Sequence, residues 1–168
     1  MAARTPAPIV LPLSNPTAKS EATPADVLAW SEGRALVATG SAFDPVRGDG
    51  RDRVVGQANN VFIFPGVGLG VIVSQATEVT DRMFLVAATT LADRVTMRRL
   101  RDGALYPRLA ELRPISRAIA IAVAREACAS GAAPMMSDGD VEAAVDAAIW
   151  APDYSALPAP AGKTGTGV

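Results

Sequence analysis

Histidine is missing from this 168-residue chain, and cysteine occurs once, at Cys128. Closed zinc sites, Ser-His-Asp triads, Cys-His dyads and haem attachment all need residues that are therefore not available. Lysine is nearly missing too, with only Lys19 and Lys163, so any chemistry must draw on carboxylates, amides, hydroxyls and arginine besides those two amines. A single thiol cannot close an internal disulfide. An excess of charge of one sign is also lacking: 16 basic residues face 17 acidic ones, for a net charge of -1. A polyanion-binding protein carries a strong basic excess, so nucleic acid is not expected as a partner. Arg94, Arg98, Arg99, Arg101, Arg108 and Arg113 do cluster, but across an inter-helix connection and without interleaved stacking aromatics, the pattern of a solvated face. Long hydrophobic runs are absent as well. Ile9 to Leu13 is interrupted by Pro12 and falls short of the ~7 to 15 apolar residues of a signal-peptide core. The stretch Val61 to Val73 is apolar throughout but holds Pro65, Gly66, Gly68 and Gly70, and it is shorter than the ~20 residues that span a bilayer. No membrane partner is expected, and the compartment expected is the cytoplasm.

What remains is enough to fold. Hydrophobic residues make up 49% of the chain and charged ones 20%, which supports a buried core in one domain, or one domain with a tail. Pro8 to Leu13, ended by Ser14-Asn15-Pro16-Thr17, predicts a short strand of the parallel kind that is buried on both faces, although Pro12 argues against a central place in a sheet. Thr23 before Pro24 predicts a helix start, and Gly33 its end. Ala35 to Thr39 predicts a second strand, closed by Gly40-Ser41. Strand, helix, strand within the first 41 residues is the beginning of an open α/β sheet. Pro45, Gly48, Asp49 and Gly50 then mark a surface loop or hairpin. A helix with small residues on one side is expected over Val61 to Val73. Another runs from a Thr80 cap to about Val95, with Met83, Phe84, Ala87, Ala88, Leu91 and Val95 at helical spacing. Two more follow, Ile115 to Ala129 and a segment capped by Asp138 that carries Val141, Val145 and Ile149. From Pro152 onward the abundance of Pro, Gly, Ala and Thr predicts a disordered tail.

Two glycine patterns imitate nucleotide loops and fail on spacing. Gly66, Gly68 and Gly70 leave Val71 where a dinucleotide fingerprint needs its third glycine, so close helix packing is the expectation there. Gly162-Lys163-Thr164 resembles the end of a P-loop, but Leu157 stands where the first glycine belongs. The amides carry more information. Asn15, held extended by Pro16, sits where a strand ends, which is where open α/β sheets bind ligands. Asn59 and Asn60 precede an apolar run. A carboxamide offers donors and an acceptor without adding charge, which suits a carboxylate or carboxamide ligand; the plain alternative is turn asparagines bonded to backbone.

The blocks Leu13-Ser-Asn-Pro-Thr17, Ala29 to Ser41 (AWSEGRALVATGS) and Gln57 to Gly70 (QANNVFIFPGVGLG) resemble the C-terminal part of malic enzymes. Val79-Thr-Asp-Arg-Met83, Ile115 to Ala120, Trp150 and Tyr154 look like the bacterial NAD-linked members. Ala58 stands where many members have glycine, and Ala42 where they have proline. The resemblance implies an α/β fold: the C-terminal part of a doubly wound, Rossmann-like NAD-binding domain, followed by a helical C-terminal segment. Residues 1–130 would form the partial NAD(P)-binding domain, 131–152 the helical segment and 153–168 the tail. It further implies NAD as cofactor, L-malate and pyruvate as ligands, and a divalent metal, Mg or Mn, in the complete enzyme. Asn15 and Asn59 are implied on the cofactor, Asn15 and Asn60 on the substrate, with the choice between Asn59 and Asn60 open at this stage.

The catalytic lysine and tyrosine and the metal ligands of that family have no match among these residues, so no catalytic or metal-ligating residue is carried over. The expectation is a C-terminal, NAD-binding portion of a malic enzyme (malate and NAD+ to pyruvate, carbon dioxide and NADH), inactive without the catalytic half, with an N-terminal half or a second copy as partner. The alternative is a non-catalytic module whose helices between Thr80 and Ile149 dock, through their small-residue stripes, on a full-length malic enzyme paralogue.

Overall fold

In the computed structural model, residues 1–48, Gly50 and residues 52–151 are described. The disordered tail expected at 153–168, with Tyr154 and Lys163, lies outside them.

A small parallel sheet organises the N-terminal part. Strand β1 (Ile9–Val10) pairs with β2 (Leu36–Thr39), and β2 with β3 (Gly56–Gln57), in the order β1-β2-β3. Ile9 lies opposite Leu36 and Val10 opposite Val37; Ala38 lies opposite Gly56 and Thr39 opposite Gln57. Backbone bonds from Leu36 N to Pro8 O (2.9 Å) and from Gly40 N to Pro12 O (3.0 Å) carry the β1–β2 contact beyond the strands themselves. Helix α1 (Pro24–Trp30) connects β1 to β2. It begins as its sequence predicts: the Thr23 hydroxyl accepts from Asp26 N at 3.2 Å, and Thr23 N donates to the Asp26 carboxylate at 3.3 Å. Glu32 and Gly33, with φ of 54° and 73°, turn the chain back after it. Val27 of α1 and Ala35 and Val37 of β2 form a small core on that side of the sheet.

The remaining elements form the larger core. Helices α2 (Phe64–Ser74), α3 (Asp81–Ala92) and α6 (Asp138–Ala148) surround α5 (Leu112–Ala129), and the short α4 (Met97–Arg101) lies between α3 and α5 in the chain. Ile115, Ile119, Val123 and Ala127 of α5 meet Val67 of α2 and Met83, Ala87 and Leu91 of α3. A second line on α5, Ala120, Ile121 and Ala124, meets Val141 and Val145 of α6. The single stripe expected on α5 is thus one of two, because alanines let a second helix close on its other side. Gly66 and Gly70 bring α2 against α5: a Cβ on Gly66 would lie 2.7 Å from the side chain of Ile119, and one on Gly70 would lie 2.6 Å from the Ala120 carbonyl oxygen. Gly68 faces open space.

Several expectations change. The first strand is not buried on both faces: Ile9, Leu11 and Leu13 are 55%, 42% and 48% exposed, whereas Pro8 and Pro12, on the opposite face, are buried, so only one face of β1 is packed against the chain; β1 is also an edge strand, with a partner on one side only. Ser137, not Asp138, caps α6, its hydroxyl accepting from Asp140 N at 3.1 Å, while Asp138 lies in the first turn. The arginine-rich connection contains α4, capped by Thr96, whose hydroxyl accepts from Arg99 N at 3.2 Å. The strand β3 was hidden because a stretch of two residues ending in a polar amide shows no hydrophobic period.

Candidate functional site at the carboxyl ends of the strands

All the strands run in the same direction, and the segments that follow them form one rim. The segment after β1 passes through Leu13 and Ser14 to Asn15, whose peptide bond to Pro16 is cis. Ser14 N and Oγ donate to the Glu21 carboxylate at 3.2 and 2.8 Å, which closes the 14–21 loop across a 3-10 turn at Thr17–Lys19. Hydrogen bonds from Glu21's own backbone N–H, then from the Ser14 hydroxyl and backbone N–H, hold that carboxyl below its ordinary pKa. The segment after β2 is Gly40-Ser41. Ser41 Oγ donates to Asn15 Oδ1 at 2.6 Å. Gly40 leaves room for this contact: a Cβ there would lie 2.1 Å from the Leu13 carbonyl oxygen and 3.1 Å from Asn15 Oδ1. Thr39 Oγ1 donates to the Ser41 carbonyl at 2.8 Å, and Gln57 Nε2, on β3, donates to the Gly40 carbonyl at 3.1 Å. Side-chain and backbone bonds therefore tie the ends of all the strands together.

After β3, Asn59 and Asn60 take different roles. Asn59 caps a 3-10 turn (Asn60–Phe62), its Oδ1 accepting from Val61 N at 2.9 Å, so its acceptor is committed to the backbone. Asn60 is exposed, and its carboxamide makes no side-chain hydrogen bond among the described residues. Both asparagines line an open groove of about 440 Å³ together with Leu11 and Leu13 of the β1 segment and Ile63 and Leu91 below. Asn15 is on the same rim, two residues beyond Leu13, but is not part of the groove's lining. The structure thus brings Asn59 and Asn60 to one groove and sets Asn15 beside it, fastened by Ser41.

Other residues singled out in the sequence are accounted for by packing. Lys19 is exposed at the end of its 3-10 turn. The Tyr106 ring lies 6.2 Å from that of Phe62, and its carbonyl accepts from Arg99 Nε and Nη2 at 3.0 and 2.9 Å. Desolvation, followed by the charge of Arg108, lowers the pKa of Arg99. Gly66 and Gly70 face α5 and not a ligand. Cys128 is buried, its thiol donating to the Pro134 carbonyl at 3.1 Å. Among the described residues, no group of three or more histidines, cysteines and carboxylates is placed to hold a metal ion, so the donor set does not fit the divalent metal that the resemblance implies. No helix among them is long and apolar enough to cross a membrane. Gly40, Ser41 and Gln57 are the rim residues that sequence reasoning passed over; the signal was a glycine followed by a hydroxyl at the end of a predicted strand.

The family model described as "Malic enzyme, NAD binding domain" matches residues 1–128. The NAD-dependent malic enzyme of Aeromonas salmonicida is 48% identical over 147 residues, which is 88% of this chain and 26% of that protein. The NAD-dependent malic enzyme of Pseudomonas syringae pv. tomato is 48% identical over 149 residues, 89% of this chain and again 26% of the relative. Among solved structures, the malic enzyme of Entamoeba histolytica superposes with a TM-score of 0.60 at 25% identity, covering 83% of this chain and 26% of its own. The malic enzyme of Pyrococcus horikoshii does so with a TM-score of 0.61 at 27% identity, covering 83% and 28%. The chain spans about a quarter of the length of these relatives.

Proposed function

The chain belongs to the malic enzyme NAD-binding domain family, and from that membership we propose that it is the C-terminal, NAD-binding portion of a malic enzyme, inactive until a catalytic half completes the cleft. Residues 1–130 provide the partial NAD(P)-binding unit. Residues 131–152 add a helical segment, which packs on α5 through Val141 and Val145. The observation that carries the proposal is the rim itself: Asn60, with an uncommitted carboxamide, and Asn15 stand beyond the carboxyl ends of parallel strands, where open α/β sheets take their ligands.

NAD+, when bound, supplies the hydride acceptor for C2 of L-malate. The chain's own contribution is to bind and orient. Asn60 offers donors and an acceptor to a malate carboxylate, Asn15 offers its donors to the nicotinamide side or to the substrate, and Asn59 contributes its remaining amide donors to the cofactor. None of them moves a proton, since a carboxamide does not titrate in this range. The alternative docking reading keeps only part of its small-residue surface, because Ala87, Ala120, Ala124 and Ala127 are fully buried within the chain's own core, whereas Ala88, Ala143, Ala147 and Ala148 are exposed. The partner we propose is instead the N-terminal half of a malic enzyme, with a second copy of the chain as the other candidate, in the cytoplasm.

The test is complementation. The purified chain, supplied with L-malate, NAD+ and Mg2+, is expected to form no NADH. Addition of the N-terminal portion of the Aeromonas salmonicida relative is expected to restore NADH formation, and Asn60→Ala in this chain is expected to lower kcat/KM in the reconstituted enzyme by about tenfold or more. No turnover in the mixture, or turnover indifferent to Asn60, overturns the proposal.

A further inference from the structure

We propose that Ser41 is a positioning residue: it fixes the Asn15 carboxamide with its oxygen turned into the protein, so that Asn15 meets its ligand as a hydrogen-bond donor. This inference rests on the NAD-binding, malate-binding reading above and specifies the chemistry of one contact within it.

The carboxamide of an exposed asparagine rotates freely in water and can present either its oxygen or its amide hydrogens. Here that freedom is removed from several sides. Ser41 Oγ donates to Asn15 Oδ1 at 2.6 Å, in the short range for O–H···O bonds. The Ser41 backbone is held in turn by the Thr39 hydroxyl on its carbonyl, 2.8 Å away. Gly40, whose absent side chain gives the loop its close approach, is held by Pro12 through its N–H and by Gln57 through its carbonyl. The hydroxyl that restrains Asn15 thus belongs to a backbone bonded to both neighbouring strands, and not to a free loop. Asn15 itself is exposed, so its Nδ2 hydrogens remain available at the rim.

The consequence is a polarity. An Asn15 whose oxygen is turned toward Ser41 presents its amide hydrogens at the rim, and so favours an acceptor, namely a carboxylate or an amide carbonyl. Asn59 follows the same logic after β3, its oxygen committed to Val61 N, whereas Asn60 is unrestrained. The rim therefore combines carboxamides set as donors with one able to adapt. This matches ligands rich in acceptor oxygens, as a dicarboxylate and a nicotinamide carbonyl are.

The experiment uses the full chain, labelled with 15N, and follows the side-chain amide pairs of Asn15 and Asn60 by NMR, each assigned through Asn15→Asp and Asn60→Asp. Without ligand, the Asn15 side chain of the wild type is expected to be ordered on the nanosecond timescale, disordered in Ser41→Ala and ordered again in Ser41→Thr, with an unchanged thermal midpoint in all three. On titration with NAD+ together with L-malate, after the cleft is completed by the unlabelled N-terminal portion of the Aeromonas salmonicida relative, the wild type is expected to shift its Asn15 amide signals. Ser41→Ala is expected to bind about fivefold more weakly, the loss of one hydrogen bond's worth of orientation, and Ser41→Thr to recover. An Asn15 amide equally ordered in wild type and Ser41→Ala overturns the proposal, as does an unchanged affinity in Ser41→Ala while the wild type responds. Failure of the wild type to respond at both Asn15 and Asn60 instead removes the ligand-binding reading on which the proposal stands. The two failures are therefore distinguishable.

Discussion

At residue 40 a single methyl group would lie 2.1 Å from the Leu13 carbonyl oxygen, and that one measurement explains why a glycine must follow β2. The loop from Ser14 to Glu21 makes a similar point with charge in place of space. Glu21 is fully exposed, yet its carboxyl pKa is lowered by its own backbone N–H and by the hydroxyl and N–H of Ser14. A carboxyl whose folded pKa is depressed adds stability that is present above its unfolded pKa and lost as the pH falls through the folded one. The loop beneath Asn15 is therefore expected to loosen only in acid, below the ordinary glutamate range. A fall in the hydrogen-exchange protection of Ser14 N, taken relative to an unstructured amide at the same pH, in that window, and its absence as a pH-dependent step in Glu21→Gln, are the measurements that check this. Asparagine identity and position were legible in the sequence. The different commitments of Asn59 and Asn60 were not, since a cap bond to Val61 N depends on the turn that follows.

The helices show how spacing becomes packing. Thr80 and Thr23 announce helix starts in the sequence, and the structure has both, with the Thr80 hydroxyl accepting from Met83 N at 3.4 Å. Along α2 the glycines look alike in sequence but differ in place. Gly66 and Gly70 lie against α5, whereas Gly68 has nothing within 4 Å of a Cβ position. Gly70→Ala is expected to destabilise by about 1–3 kcal/mol, because its methyl would meet the Ala120 backbone and the Val123 side chain. Gly68→Ala is expected to stabilise by about 0.5–1 kcal/mol through helix propensity alone. Denaturant midpoints at constant slope are the measurement, and opposite signs the expected outcome. Surface ion pairs contribute less to this assembly. The Arg117 guanidinium donates to Asp146 at 2.8 Å across α5 and α6 and lowers the Asp146 pKa, but exposed pairs of this kind are worth about 0–1 kcal/mol. The helix-helix contacts are set by shape.

Across the whole molecule the two sheet edges are unequal. The β3 side is covered: Val54 N donates to the Asp102 carbonyl at 2.8 Å, and a Cβ on Gly56 would lie 3.0 Å from Tyr106 N. On the β1 side, Pro8 and Pro12 direct their carbonyls toward β2. By the alternation of a parallel ladder, Ile9 and Leu11 therefore turn their backbone groups to the open edge, and the side chains of Ile9, Leu11 and Leu13 are about half exposed beside the groove. Such an edge accepts another strand, and the chain on its own is expected to self-associate as its concentration rises; Leu11→Lys is expected to shift sedimentation toward the monomer. The sequence by itself determined the alternation of strand and helix, most helix limits, the apolar residues of the core and the carboxamides at the strand ends, because periodicity, caps and turn residues act over a few neighbours. Tertiary structure alone decided that β1 is an exposed edge, that α5 is buried on two sides, that two glycines of α2 face a helix while a third does not, and that Ser41 holds Asn15. Each of these depends on which segments, far apart in the chain, come within a few ångströms of one another, and no local pattern encodes that distance.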